Sequence, residues 1–160
     1  MVENTTQWVC NKCGSLIRCA QEGFLTWVAY DGENGEQKRG DIHIVHHYTA
    51  SPLRNVHRLG CYFEISKAHE LSNGRQQDDY LASFLGPDGL MQLLALLYDG
   101  RLPVNEVLEI IKRLHIPGYE EARPYFIRAL EEELIEPFLS NGFYRQSEID
   151  TVLRNRDRLG

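Results

Sequence analysis

Cys10-Asn11-Lys12-Cys13-Gly14 is the stretch that decides how this chain is read. Two thiols spaced Cys-x-x-Cys in one tight turn can take the same metal ion. The glycine after the second lets the backbone turn so that N–H groups point at the sulfurs. Such a pair needs two further nitrogen or sulfur ligands, and the chain offers His46-His47 and then Gly60-Cys61. Zinc is the expected metal. Three cysteines and one histidine would close its tetrahedron, which makes the site structural: it replaces hydrophobic core that a small β module lacks and leaves no position for a substrate.

Working outward, Gly23-Phe24-Leu25-Thr26-Trp27-Val28-Ala29-Tyr30 reads as a strand, being aromatic and β-branched between a Gly and an Asp. Asp31 to Gly35 is turn chemistry, and Asp41 to Tyr48 is a second strand, so the two pair as a hairpin. Period-two alternation places His46 on a face with Ile42 and Ile44, and His47 on the other with His43 and Val45. The expected ligands are therefore Cys10, Cys13, His46 and Cys61. His47, then His57, are the alternatives for the histidine, and Cys19 is an alternative sulfur.

The order knuckle, hairpin, returning ligand over residues 8–61 resembles a zinc ribbon or treble clef. This is a resemblance to a class of module and points to no particular family. The same stretch, with Val45-His46-His47, Asn55 and Leu59-Gly60-Cys61, also resembles the order of elements in HNH-type nucleases. That resemblance implies that His47 activates water and His46 helps hold a divalent metal against phosphate. The second half-site departs from the pattern, because Cys61 is followed by Tyr62-Phe63-Glu64.

The remainder reads as helices. Asp78 to Leu85 is a short helical pattern stopped by Gly86-Pro87, and a longer helix runs from an Asp88 N-cap to just before Gly100. Its apolar residues surround so much of the surface that burial at the centre of a bundle is expected. Pro103 to His115 and Glu120 to Glu136 follow, the latter with Pro124 in its first turn, and Ser147 caps a last helix with Asp150 three residues on. The fold class expected is α+β: a small zinc-stabilised antiparallel β module followed by a C-terminal helical bundle. The domains expected are residues 1–71 and 78–160, with 72–77 as a polar linker.

Net charge −6 over 160 residues argues against broad binding to nucleic acid or an anionic membrane. The second helix of a possible helix-turn-helix is acidic at its C-terminal end, whereas Arg145, Arg154, Arg156 and Arg158 make a local basic patch. No apolar run approaches the roughly 20 residues that span a bilayer, and the N-terminus lacks the features of a signal peptide. The cytoplasm is the expected compartment, where four cysteines read as ligands and a spare thiol. No paired carboxylates, phosphate loop or Ser-His-Asp order stands out. The function expected is a non-enzymatic, zinc-stabilised adaptor or regulatory module that binds another protein. A nucleic-acid binder and a divergent HNH-like nuclease are the alternatives.

Overall fold

The computed structural model describes residues 7–62, 70–136 and 139–160. Residues 1–6 of the expected first domain, and Phe63 and Glu64 after Cys61, lie outside these. The architecture is α+β, with antiparallel sheets towards the N-terminus and helices towards the C-terminus. By contacts the chain forms two compact units, one ending at His115 and the other beginning at Ile116.

In the first unit a two-stranded sheet joins β1 (Trp8–Val9) to β2 (Leu16–Ile17), and the knuckle turn lies between them. A three-stranded antiparallel sheet has the order β4-β3-β5, from β3 (Gly23–Asp31), β4 (Gln37–His46) and β5 (Arg75–Tyr80). The hairpin register pairs Phe24 with Val45 and Leu25 with Ile44, then shifts between Thr26 and Val28. Asp41 and Ile42 face the single residue Trp27 there, and Asp41 takes the left-handed conformation at φ 58°. This is a β-bulge with a residue type that tolerates that conformation. Past the bulge, Ile42, Ile44 and His46 are all buried.

The outer edge of β4 is closed by polar groups. Its Arg39, Ile42 and Ile44 N–H groups donate to Arg101 O, Glu106 Oε2 and Asn11 Oδ1 at 2.9, 3.1 and 2.9 Å. A covered edge cannot recruit a further strand. The other edge strand, β5, corrects the expected helical pattern at 78–85. Asp78, Asp79 and Tyr80 pair with Thr26, Leu25 and Phe24, and Trp27 Nε1 donates to Gln77 Oε1 at 2.9 Å. The apolar pair Leu81 and Phe84, spaced as in a helix, sits on one short 3₁₀ turn (Leu81–Phe84) and is fully buried.

Helix α1 (Gly86–Asp99) begins where a stop was expected. Pro87 occupies the first turn, where its missing N–H has no intrahelical partner to lose, and Asp88 is inside the helix rather than its cap. Gly100, left-handed at φ 67°, ends it. Gly89 is needed for close approach, because a Cβ there would collide with the Phe84 backbone. The expectation of all-round burial is corrected: α1 fully buries only Gly89 and Leu93, and Met91, Leu94 and Tyr98 are exposed. Helix α2 (Val104–His115) packs beside it. Leu93, Val107, Ile110 and Leu114 join Trp8, Ile17, Leu25, Ile44, Leu81 and Phe84 in one core.

The second unit has its own core of Tyr119, Ala122, Phe126, Ala129, Ile135, Ile149, Val152 and Leu159. The single helix expected over 120–136 is instead α3 (Tyr119–Ala122), a 3₁₀ turn (Arg123–Tyr125) and α4 (Phe126–Glu131). Pro124 sits at the break, because helix formation starts at Tyr119 and the proline falls beyond the first turn. Glu133, at φ 53°, closes α4: its N–H donates to Leu130 O and Leu134 N–H to Ala129 O. The last long helix, α5 (Gln146–Arg154), is capped at Arg145 rather than Ser147. Glu148 Oε2 reaches back to accept the Arg145 N–H at 2.7 Å. The turn α6 (Arg156–Leu159) follows. No helix among the described residues is long and apolar enough to cross a membrane.

Candidate metal centre

The Cys-x-x-Cys turn is shaped by its own backbone. Gly14 is left-handed at φ 74°, and its N–H donates to Cys10 O at 2.9 Å. Cys10 N–H donates in turn to Ser15 O at 2.9 Å, which brings β1 back against β2. Gly60 plays the matching part before Cys61. It is left-handed at φ 57°, and a Cβ there would crowd Ser51 Oγ at 3.1 Å.

These turns and strand β4 bring Cys10, Cys13, His46 and Cys61 together, with ligand atoms all within 4.8 Å of one another. His46 Nδ1 is 3.4 Å from Cys13 Sγ and 3.7 Å from Cys61 Sγ. A tetrahedral ion with metal–sulfur and metal–nitrogen distances of about 2.3 and 2.0–2.1 Å sets sulfur and nitrogen about 3.6 Å apart. The two measured sulfur–nitrogen separations straddle that value, so the arrangement suits such an ion. Cys10, Cys61 and His46 are buried and Cys13 is half-buried.

His46 is oriented for this role. Its Nε2 lies 3.1 Å from Leu16 O, a carbonyl that can only accept, so Nε2 carries the proton and Nδ1 turns its lone pair toward the sulfurs. Both ring nitrogens are thus committed. At Cys61, the Ser51 hydroxyl lies 2.9 Å from Sγ and accepts the Leu53 N–H at 3.0 Å, which leaves its own proton for the sulfur. That contact supports a thiolate.

The thiols differ in how readily they ionise. Burial pushes Cys61 up to about 12, and the neighbouring Cys10 and Cys13 sulfurs add to the effect against the opposing Ser51 bond. Burial also acts to raise Cys13, but hydrogen bonds from Ser15, Cys10 and Cys61 outweigh it and bring that thiol below its ordinary value. Burial thus holds Cys61 as a neutral thiol, while the hydrogen bonds at Cys13 make it the easier of the two to ionise. Three thiolates together need a compensating positive ion.

Asn11 and Arg113 hold the knuckle from behind. Asn11 N–H donates to Ile44 O at 2.8 Å and its Oδ1 accepts the Ile44 N–H at 2.9 Å, so one residue pairs with the strand as a neighbouring strand would. Buried Arg113, in the last turn of α2, donates to Asn11 Oδ1 at 2.7 Å and to Val9 O at 2.8 Å. Sequence reading missed both. The available signal was a cation at position 113, in helical phase with the buried Val107 and Ile110.

The other candidates lie apart from the tetrad. Cys19 is exposed and precedes the 3₁₀ turn Ala20–Glu22. His47 accepts the Thr49 N–H on Nδ1 at 3.1 Å and packs against Phe24 with ring centroids 4.7 Å apart. His57 Nδ1 accepts the Leu59 N–H at 3.3 Å. No protein-family model, curated protein or solved structure matches the chain.

Proposed function

We propose that this chain is a zinc-stabilised, non-enzymatic adaptor or regulatory module that binds a protein partner. One observation carries the reading: the four donor groups are complete in number, gathered around one point with three of them buried, and soft in character. Three thiolates and an imidazole suit zinc, and a closed tetrahedron fixes structure rather than activating water. The ion would be held by Cys10, Cys13, His46 and Cys61, tying the knuckle, strand β4 and the loop before Cys61 to one centre.

The same geometry weighs against the nuclease alternative. That reading needs His46 free to hold a second metal, whereas Nδ1 faces the sulfurs and Nε2 donates to Leu16 O. The nucleic-acid alternative draws on the C-terminal arginines, of which Arg158 pairs with Glu132 at 3.0 Å.

The test has two arms. Elemental analysis of the purified chain should give one zinc per chain, lost in Cys13→Ala. Cross-linking in cells followed by reconstitution from purified components should then recover a stoichiometric protein complex with the wild-type chain. Magnesium-dependent cleavage of DNA or RNA that disappears in His47→Ala would overturn the adaptor reading. So would tight nucleic-acid binding with a steep salt dependence.

A further inference from the structure

The four donor groups are not equally sheltered. Cys10, His46 and Cys61 are 1, 3 and 0% exposed, whereas Cys13 is half-buried and is followed by exposed Gly14, Ser15 and Leu16. The Ser15 N–H and hydroxyl both reach Cys13 Sγ, which sets that sulfur on the outer side of the turn. A cleft of about 450 Å³, lined in part by Ser15, Leu16 and His46, opens beside the cluster. A small solute can approach the sulfurs from this side and from no buried one.

Cys13 also has a second thiol at hand. Cys10 belongs to the same turn, which the Gly14 N–H closes on Cys10 O at 2.9 Å. The ligand atoms of the cluster all lie within 4.8 Å of one another. Cys-x-x-Cys is a spacing at which a disulfide can close within one turn. Cys61 is the less available partner, because the Ser51 hydroxyl sits 2.9 Å from its sulfur.

We propose that Cys13 and Cys10 form a peroxide-sensitive latch on the metal centre: a peroxide oxidises the Cys13 thiolate, Cys10 closes a disulfide with it, and the ion loses two of its four donors. This rests on the zinc reading above. In the first step the Cys13 sulfur attacks a peroxide oxygen. An S–O bond forms, the O–O bond breaks and hydroxide departs; the sulfur gives up two electrons and becomes a sulfenic acid. In the second step the Cys10 thiolate attacks that sulfur. An S–S bond forms, the S–O bond breaks and a second hydroxide departs. In sum, two thiolates and hydrogen peroxide give a disulfide and two hydroxide ions. His46 and Cys61 remain, two donors where a structural zinc takes four, and they do not retain it. A dithiol reductant supplies two electrons and two protons, becomes a disulfide itself, and restores both thiols.

Hydrogen peroxide titrated into the intact, zinc-loaded chain tests this, with a chromogenic chelator reporting released zinc. One zinc should appear for each disulfide formed. Alkylation of the remaining thiols in denaturant, followed by peptide mass mapping, should find Cys10 joined to Cys13 and Cys61 alkylated. A dithiol with added zinc should return the metal to the chain. Cys19→Ser should release zinc as fast as the wild type, since Cys19 is exposed and apart from the tetrad. Cys13→His keeps four donors without the oxidisable sulfur, and should release zinc about tenfold more slowly. If Cys13→His does not hold zinc, the alkylation map of the wild-type chain decides. A chain with no zinc before peroxide is added would overturn the zinc reading and this proposal together. Four results would overturn this proposal alone: a zinc-loaded chain that keeps its metal as peroxide is consumed, a disulfide from Cys13 to Cys61, release that requires Cys19, or a zinc-loaded Cys13→His that releases at the wild-type rate.

Discussion

The two units hold themselves together by different means. The second, from Ile116 onward, has an apolar core in which Phe126 lies 3.9 Å from Tyr144, ring centroid to ring centroid, with Ile149 and Val152 fully buried. Burial of that kind needs no ion. The first unit also has a core, but its N-terminal end is different. There β1 and β2 are two residues each, and the chain from Cys10 to Gly14 is turn. Around that turn four donor groups that could hold a metal lie within 4.8 Å of one another, three of them thiols that repel one another once ionised. If that cluster takes the ion proposed above, one chain contains a segment whose fold is conditional on a ligand and another whose fold is not.

Removing a ligand should break this contrast most completely. His46→Ala or Cys61→Ala should abolish zinc retention and cost several kcal/mol in the first unit, since zinc affinity there is folding free energy. Hydrogen exchange read peptide by peptide should show residues 7–62 losing protection while 116–160 keep theirs. Equal loss in both would mean that the second unit is not self-sufficient. His47→Ala should leave zinc content unchanged. Zinc binding at neutral pH should also release protons, because burial raises the Cys61 thiol well above neutrality and the bound form must be thiolate. The sign follows from that: acidification restores protons to the thiols and expels the metal, and raising the pH favours retention. Calorimetry in buffers of different ionisation enthalpy would read the proton count, and a value of zero would contradict the ligand set.

Arg113→Ala probes the support rather than the ligand. It leaves Val9 O without its guanidinium donor and takes one of two donors from Asn11 Oδ1. The expected loss is about 2–3 kcal/mol in denaturant unfolding of the metal-loaded first unit, the worth of hydrogen bonds from a charged, buried donor. A loss below about 0.5 kcal/mol would mean that water takes over these bonds. Ser51→Ala is milder: removing the hydroxyl beside Cys61 should weaken zinc binding by about tenfold in competition with a chelator, with the fold retained.

How much of this was legible follows from how local each signal is. The grouping of Cys10, Cys13, His46 and Cys61 could be read because Cys-x-x-Cys-Gly and strand alternation are short-range rules. The bulge sets Asp41 and Ile42 against Trp27, and from Ile42 onward the alternation holds, with Ile42, Ile44 and His46 all buried. Strand β5 could not be read from its own residues, since Arg75 to Asp79 is polar throughout and gains its register only by pairing with β3. The exposure of α1 was hidden for the opposite reason. Apolar residues on every side do not say which of them the fold covers. Arg113 acts on residues about a hundred positions earlier in the chain, and no periodicity reports that. The division after His115 carries no composition change at all, because α2 belongs by packing to the sheet.

The smallest effect sharpens the comparison from the other side. Glu133 closes α4 in the left-handed conformation, at φ 53°, where an L side chain meets its following carbonyl. Glycine is the usual residue there, because it has no Cβ to clash. Glu133→Gly should therefore stabilise the second unit by roughly 0.5–1 kcal/mol, the Leu134 and Glu133 backbone bonds staying in place. The unfolded chain also gains freedom from the new glycine, which is why the net gain stays at the low end of what relief of strain alone would give. Zinc affinity and the protection of residues 7–62 should not change. If Glu133→Gly raised zinc retention, the two units would be energetically coupled, and the separation of a metal-dependent segment from a self-sufficient one would no longer stand.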